Sequence, residues 1–369
     1  MSNPTPKPGI MAIEAYVGGE SDLAGQDQVI KLSSNENAFG PSPQAQEAYR
    51  QAAEDLHRYP DGSCAALREA IGALHGLDAS KIVCGAGSDE LISLLCQAYA
   101  GPGDEVLYSE HGFLMYPISA RTVGATPVSA QEVDLTSNVE SLLEKVNGNT
   151  RLLFLANPNN PTGTYLSGDE LWRLRRELRE DVILVIDAAY AEYATRDDYN
   201  PGIDLVDAGA NVVMTRTFSK IYGLGGARLG WAYCPDEIAG VLNRMRGPFN
   251  VGSPAMAAGL AALADVAFTD RAREHNDQCL AWTREQLLGL GLEVPPSAGN
   301  FVLVRFPNPS GRNDNAADAA DEFLKSRGII VRAMKSYGLE DCLRITIGRE
   351  SEMRAVIEAL KEFLEQLKP

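Results

Sequence analysis

One lysine of this chain stands in an unusual setting. Lys220 lies in TRTFSKIYGLGGARLGW (215–231), directly after an apolar run that is predicted to be a strand. Thr217 and Ser219 precede it, and Arg228 follows it eight residues later among glycines. A lysine amine attacks carbonyl groups when its surroundings lower its pKa, and hydroxyls with a guanidinium suit a phosphate. An ordinary surface lysine is the alternative, but it needs none of these neighbours.

Three further polar motifs follow apolar runs that are predicted to be strands. GAGS (85–88) follows KIVC, NPNNPTG (157–163) follows RLLFLA, and Asp187 closes VILVID with Tyr190 three residues on. In a parallel α/β sheet, ligands bind beyond the carboxyl ends of the strands. We therefore expect these motifs and Lys220 to meet in one cleft.

Each of these motifs has a chemical and a purely structural interpretation. The glycines of GAGS can expose N–H groups to an anion at a helix start or simply form a turn, and the motif is neither GxGxxG nor a Walker A loop. The Asn-Pro steps of NPNNPTG can hold an asparagine rigidly or form a surface turn. Asp187 is costly to bury without a cation, which a protonated ring nitrogen can supply, or it can cap a helix.

The chemical interpretations together describe a single ligand. They provide donors for a phosphate, an acid for a ring nitrogen, an asparagine and a tyrosine for a phenolic oxygen, and an amine for an aldehyde. Pyridoxal 5′-phosphate has all of these groups, and it leaves orientation and electrostatics to the protein. The sequence therefore predicts this cofactor.

The elements that must position these residues alternate regularly along the chain. Near-continuous apolar strands alternate with helices, which indicates an α/β fold with a mostly parallel sheet covered on both faces. Ser88 is the predicted N-cap of the helix after GAGS. We expect an N-terminal arm at 1–42 that joins the small domain and a dimer partner, a large cofactor-binding domain at 43–262, and a small α+β domain at 263–369.

Composition excludes several classes of function. The formal net charge of −17 argues against binding nucleic acid through phosphate contacts. No signal-peptide core and no stretch of 18 apolar residues is present, so we expect neither secretion nor a membrane span. The six cysteines lack CxxC spacing, which favours reduced thiols in a cytoplasmic protein. With four histidines and no HxH or HExxH, no metal site is predicted.

Over nearly its whole length the chain resembles the fold-type I pyridoxal-phosphate aminotransferases, and among them the histidinol-phosphate aminotransferases. The resemblance implies an aspartate aminotransferase-like fold with a seven-stranded, mostly parallel sheet in the large domain. The motifs that carry it, in order along the chain, are KLSSNENAFGPSP, HRYPDGSCAALREAI, GAGSDELI, NPNNPTG, VIDAAYAEY, TFSKIYGLGGARLGW and CLRITIG.

The resemblance also implies a role for each cofactor-binding residue. Lys220 bonds the cofactor covalently and carries the substrate proton, Asp187 pairs with the ring nitrogen, and Phe113 stacks on the ring, where many relatives have a tyrosine. Tyr190 and Asn160 bond the phenolic oxygen. The phosphate is held by the GAGS and Lys220 segments, through Ala86, Gly87, Ser88, Thr217, Ser219 and Arg228.

Other residues are implied to act on the substrate or across a dimer. Arg344 binds the carboxylate of glutamate, Arg332 binds a distal carboxylate or a phosphate, and Asn37 lies at the substrate. Tyr59 reaches the cofactor phosphate of the other subunit, so the active sites belong to a homodimer. The alternatives are an arginine paired with an acid for Arg344 and a packed aromatic ring for Tyr59.

The expected reaction is a transamination of L-histidinol phosphate with 2-oxoglutarate, giving imidazole-acetol phosphate and glutamate in histidine biosynthesis. The first alternative is an aromatic or broad-specificity aminotransferase, because Phe113, Met115 and Tyr116 could line a pocket for phenylpyruvate-like acids. A decarboxylase for a phosphorylated amino acid shares much of the same scaffold. A non-catalytic regulator is disfavoured, because this chain carries no added DNA-binding domain.

Overall fold

A seven-stranded sheet lies at the centre of the computed structural model, which describes residues 4–25, 28–209, 211–306 and 316–367. The strands within these residues are β1 (Ile30–Lys31), β2 (Ile82–Gly85), β3 (Glu105–Ser109), β4 (Thr126–Ala130), β5 (Glu132–Val133), β6 (Thr136–Ser137), β7 (Thr150–Ala156), β8 (Ile183–Asp187), β9 (Val212–Thr217), β10 (Gly230–Tyr233), β11 (Phe301–Arg305), β12 (Ile329–Ile330), β13 (Arg332–Met334) and β14 (Leu339–Thr346).

The helices flank the sheets or connect their strands. They are α1 (Pro43–Ala52), α2 (Ala65–His75), α3 (Ser88–Tyr99), α4 (Met115–Val123), α5 (Val139–Lys145), α6 (Gly168–Glu177), α7 (Ile203–Ala208), α8 (Asp236–Met245), α9 (Ser253–Ala264), α10 (Val266–Gly289), α11 (Ala316–Ser326) and α12 (Glu350–Gln366). No helix among the described residues is long and apolar enough to span a membrane.

The large sheet is mostly parallel, as the apolar strand pattern predicts. Its strand order is β2-β10-β9-β8-β7-β3-β4, and β10 runs antiparallel to both of its neighbours. Successive residues of β7 pack into different cores, with Leu153 on one face and Phe154 on the other. Because both faces are covered, the strands are apolar without alternation. The carboxyl ends of β7, β8 and β9 therefore lie side by side at one edge.

A smaller antiparallel sheet of order β11-β14-β13 forms a second core with α11, α12 and the later part of α10. The N-terminal segment joins this unit, because β1 pairs in parallel with β12 and Leu32 packs into the second core. The stretch 328–333 contains residues of two strands, β12 and β13, which belong to different sheets.

The start of α3 differs from the expected cap. Gly87, not Ser88, is the N-cap residue, and Ser88 is the first residue of the helix. Gly87 has φ 84°, in the left-handed region that favours glycine. A Cβ at Gly87 would lie 2.4 Å from Nη2 of Arg228. The glycine is therefore required both by the backbone turn and by the close approach of this arginine.

Candidate active site

A cavity of about 300 Å³ lies at the carboxyl edge of β7, β8 and β9, between the large sheet, the small sheet and the N-terminal segment. Eleven of the predicted site residues line it, although they come from distant parts of the sequence. They are Ser88, Phe113, Asn160, Asp187, Tyr190, Thr217, Ser219, Lys220, Arg228, Arg332 and Arg344.

Asp187 ends β8 and is only 4% exposed. The Tyr116 hydroxyl donates to its Oδ2 at 2.8 Å, and the Thr215 hydroxyl donates to its Oδ1 at 3.3 Å. Burial raises the pKa of this carboxyl to about 6, although the two hydrogen bonds oppose the shift. No cation lies within salt-bridge distance of Asp187 among the described residues. A ligand with a cationic ring nitrogen fits this carboxylate.

Lys220 follows β9 and is partly buried beside the cavity. Its Nζ lies 3.5 Å from the backbone oxygen of Ser34 and 5.6 Å from the centroid of the Tyr190 ring. In the described part of the chain, no carboxylate lies within salt-bridge distance of this amine. The amine therefore lies at the cavity without being held in an ion pair.

The hydroxyls and guanidinium predicted for a phosphate lie together. The Thr217 hydroxyl donates to Ser219 Oγ at 2.9 Å, and Arg228 Nη1 donates to the same oxygen at 3.3 Å. Arg228 also donates to Asp89 Oδ2 at 3.0 Å and to the Gly225 carbonyl at 3.0 Å. This cluster stands at the N-terminus of α3, where the helix dipole favours an anion.

Ala86 and Gly87 stand behind this cluster and do not line the cavity. The Ala86 N–H donates to Glu90 Oε2 at 2.7 Å, and the same oxygen accepts from Asn250. In this arrangement the N–H predicted for the phosphate is already bonded to a carboxylate. Gly87 contributes instead by leaving room for the Arg228 side chain.

Two arginines of the small sheet face the cavity from neighbouring strands. Arg332 of β13 and Arg344 of β14 are paired in register, and Arg344 is only 6% exposed. Arg344 donates to Asn160 Oδ1 and, at 2.8 Å, to the Ser33 carbonyl. Within the described ranges neither arginine has a carboxylate at salt-bridge distance. The pair therefore suits an anionic substrate.

The N-terminal segment reaches the same arginines. Arg332 donates to the Gly18 carbonyl and, at 2.6 Å, to the Val17 carbonyl, and Tyr16 lines the cavity. These contacts bring the N-terminal segment to the edge of the cavity.

Besides Ala86 and Gly87, two more predicted site residues lie outside the cavity. Asn37 is buried, and it donates to the Ile221 carbonyl at 2.5 Å and accepts from the Phe39 N–H at 2.8 Å. It therefore ties the N-terminal segment to the chain after Lys220. Tyr59 is 83% exposed and stacks on the partly exposed Phe249, with ring centroids 4.7 Å apart.

Sequence reasoning missed other functional positions. Tyr116 was considered as a lining residue of an aromatic pocket, but it is fully buried, bonds Asp187 and stacks on Phe154. Phe113 does line the cavity and meets the Tyr116 ring edge to face. Asn35, in the SSNEN stretch, lines the cavity and bonds Tyr190, and its place in a polar run before the first helix was the available signal.

A family model for aminotransferase class I and II matches residues 27–360, which contain every residue that lines the cavity except Tyr16 and Gly19. The chain belongs to this family. The cavity of the aminotransferase thus brings together a lysine amine, a buried acid and a cluster of two hydroxyls with a guanidinium.

Relatives of this aminotransferase align from end to end. The histidinol-phosphate aminotransferase of Paramagnetospirillum magneticum is 64% identical over 364 residues, which are 99% of each chain. That of Rhodospirillum rubrum is 58% identical and covers 98% of this chain and 97% of its own. The crystal structure of histidinol-phosphate aminotransferase from Sinorhizobium meliloti in complex with pyridoxal 5′-phosphate has a TM-score of 0.90 at 30% identity, covering 100% of this chain and 99% of that chain.

Proposed function

We propose that this aminotransferase uses pyridoxal 5′-phosphate to transfer an amino group between L-histidinol phosphate and 2-oxoglutarate. The products are imidazole-acetol phosphate and L-glutamate, in histidine biosynthesis. End-to-end identity of 64% to a histidinol-phosphate aminotransferase supports the substrate. The observation that carries the chemistry is the buried Asp187, which has no cation partner among the described residues and shares a cavity with Lys220.

The residues of the cavity fit this cofactor. Tyr116 and Thr215 hold the carboxylate of Asp187 in place, and this carboxylate would pair with the ring nitrogen. The phosphate would be bound by Ser219, Thr217 and Arg228. The phenolic oxygen would be bound by Tyr190 and Asn160. When bound, the cofactor supplies an electron sink for the charge left when the substrate loses its α-proton.

The proton transfer is assigned to Lys220. Its Nζ would accept the proton from the substrate α-carbon and would give that proton back later in the transfer. Asp187 keeps a proton on the ring nitrogen, because a buried carboxylate is stabilised by a cation next to it. The two roles are complementary, since the amine moves a proton and the carboxylate holds one.

Substrate anions are assigned to Arg344 and Arg332. Glutamate carries two carboxylates, and histidinol phosphate carries a phosphate, so both substrates can pair with two guanidiniums that face one cavity. Charge-assisted bonds of this kind are stronger than neutral hydrogen bonds. Because Arg332 also donates to the Val17 and Gly18 carbonyls, a substrate bound to Arg332 would lie near the N-terminal segment.

The active unit is proposed to be a cytoplasmic homodimer with shared active sites. Support for the dimer comes from the exposed aromatic side chains of Tyr59 and Phe249, which stack on each other at the surface. Apolar patches of this kind commonly mark protein–protein contacts. Support for a reducing compartment comes from the six cysteines, all of which are free thiols.

A visible spectrum tests the cofactor and the covalent lysine. Protein supplied with pyridoxal 5′-phosphate should show an absorbance band that glutamate shifts and 2-oxoglutarate restores. Lys220→Ala should lose both the band and turnover, whereas Lys361→Ala, on the exposed side of α12, should keep both. A Lys220→Ala variant that still transaminates would overturn the assignment.

A second measurement tests the substrate. With 2-oxoglutarate as acceptor, kcat/KM should be much higher for histidinol phosphate than for phenylalanine. Equal or higher values for phenylalanine would favour the aromatic alternative instead, and that result would leave the cofactor assignment intact.

A further inference from the structure

Asn35 connects the small sheet to the tyrosine of the active site. It is 1% exposed and has φ 55°, a left-handed conformation that asparagine adopts more readily than most residues. Its Nδ2 lies 2.8 Å from the Tyr190 hydroxyl oxygen, and its carbonyl accepts from Asn300 at 3.0 Å. A buried side chain in this conformation, bonded on several sides, is held in one orientation.

Thr346 of β14 decides which amide atom faces Tyr190. The Asn35 backbone N–H donates to Thr346 Oγ1 at 2.9 Å, so the hydrogen of this hydroxyl remains available for another acceptor. Asn35 Oδ1 lies 3.1 Å from Thr346 Oγ1 and accepts that hydrogen. The amide oxygen is therefore turned toward Thr346, and the NH₂ group must point at Tyr190.

We propose that Asn35 is a positioning residue that sets the direction of the Tyr190 hydroxyl. Its NH₂ donates to the phenol oxygen, so the hydrogen of the hydroxyl points away from Asn35 and into the cavity. This inference rests on the proposed function, in which the phenolic oxygen of the cofactor accepts that hydrogen. Thr346, Asn35 and Tyr190 then form a relay in which each group donates to the next.

The relay has an electrostatic consequence. A hydrogen bond donated to the phenolic oxygen withdraws negative charge from the neighbourhood of the nitrogen that joins Lys220 to the cofactor. Without that bond, the proton on this nitrogen is held more tightly, and the pKa read from the visible absorbance of the bound cofactor rises. Around Tyr190 the other titratable groups are Lys220, Tyr193, Tyr337 and Arg344, and they stay unchanged in the test.

Two substitutions at position 35 keep its backbone conformation. Asn35→Asp replaces the donor by an acceptor that captures the Tyr190 hydrogen, and it should raise the absorbance pKa by about one unit or more. Asn35→Gly removes the side chain without backbone strain and should raise this pKa by a smaller amount. Titrations are done on the cofactor-loaded protein without substrate, so the readout is independent of turnover.

Thr346 supplies a matched pair without any change in charge. Thr346→Val removes the hydroxyl that orients the amide and should raise the absorbance pKa, whereas Thr346→Ser should titrate like the unaltered protein. If the absorbance pKa rises only in Asn35→Asp, the added charge explains the result and the relay is wrong. If the absorbance pKa is unchanged in all of the variants, Asn35 has a structural role only. If the unaltered protein shows no cofactor band, the proposed function fails instead of the relay.

Discussion

At the residue scale, the electrostatic state of Asp187 follows from burial without a cation. Its pKa is raised from 3.8 to about 6, so the folded protein binds this proton more tightly than the unfolded chain does. The resulting loss of stability begins as pH rises above about 4 and is complete above about 6. A cofactor with a cationic ring nitrogen removes this penalty. The carboxylate of Asp187 thus destabilises the cofactor-free protein, whereas in the cofactor-loaded protein it helps to bind the cofactor.

Asp187→Asn should therefore separate stability from catalysis. In the cofactor-free protein at pH 7.5 we expect the free energy of unfolding to rise by about 2 kcal/mol, because a neutral amide replaces a buried charge. At pH 4 the difference should disappear. With cofactor, kcat should fall by about 100-fold or more, since the ring nitrogen loses its anionic partner. Thermal unfolding at both pH values and steady-state kinetics measure these effects, and a cofactor-free variant that is less stable at pH 7.5 would contradict the argument.

The predictable residues of the site are those that follow strands. Asp187, Asn160 and Lys220 each come after an apolar run, so the polarity of the sheet predicts that they meet. Tyr116 and Asn35 carry no such signal. Their hydrogen bonds to Asp187 and Tyr190 depend on how α4 and the N-terminal segment pack, which a local sequence pattern does not contain.

At the element scale, the turn into α3 depends on Gly87. A Cβ there would lie 2.4 Å from Nη2 of Arg228, and its φ of 84° strains any other residue. Gly87→Ala should displace the Arg228 side chain from the phosphate cluster and weaken cofactor binding by about 10-fold or more, which corresponds to the loss of one charge-assisted bond. Titration of the cofactor-free protein with pyridoxal 5′-phosphate measures this affinity.

Gly103 offers the matched control for this substitution. It has φ 93° and open space where a Cβ would lie. Gly103→Ala should therefore carry a similar backbone cost and lower the melting temperature, while the cofactor affinity stays unchanged. Equal loss of affinity in both variants would mean that backbone strain, and not Arg228, explains the effect.

The turn after β3, which carries Phe113, is held by a buried ion pair. Glu132 bonds the His111 ring at 2.8 Å and also accepts from the His111 backbone N–H and the Ser109 hydroxyl. Burial lowers the pKa of His111, but the hydrogen bond and charge of Glu132 outweigh it and raise the pKa above 6.5, with Glu110 adding to and Arg305 opposing the shift. The stabilising effect is therefore complete below pH 6.5 and is lost as pH rises through the raised pKa.

His111→Gln should cost about 1–2 kcal/mol of unfolding free energy at pH 6 and less at pH 9. His57→Gln replaces an exposed histidine and should cost little at either pH. Unfolding by denaturant at the two pH values measures the difference. An equal cost for His111→Gln at pH 6 and pH 9 would show that the charge of the pair contributes nothing.

Helices with one apolar face were predictable from sequence, and others were not. The sequence of α6 carries both an apolar spacing and the capping box of Ser167 and Glu170 at which the helix begins. By contrast, α9 is built from SPAMAAGLAALA, which is apolar on all sides because it packs among α1, α2 and the loop after Lys220. A pattern search for amphipathic helices cannot detect such a segment.

At the scale of the whole molecule, the cavity exists only because three distant parts of the chain meet. The large sheet supplies the residues proposed to bind the cofactor, and the small sheet supplies Arg332 and Arg344. The N-terminal segment belongs to both, since β1 pairs with β12 while Asn37 bonds the chain after Lys220. We therefore expect a substrate that binds the two arginines to affect the position of the small sheet and of the N-terminal segment relative to the cofactor.

A mixing experiment tests whether two copies share their active sites. If Tyr59 of one subunit serves the Lys220 site of the other, a subunit with Lys220→Ala and one with Tyr59→Ala form a heterodimer with one intact site. Random reassortment makes half of the dimers mixed, so the mixture should regain about a quarter of full activity. Subunits must be dissociated and re-formed together, and unmixed samples treated alike provide the baseline. Activity equal to the mean of the two separate variants would show that each site is complete within one chain, and the stacked Tyr59 and Phe249 would then be a surface contact without a part in catalysis.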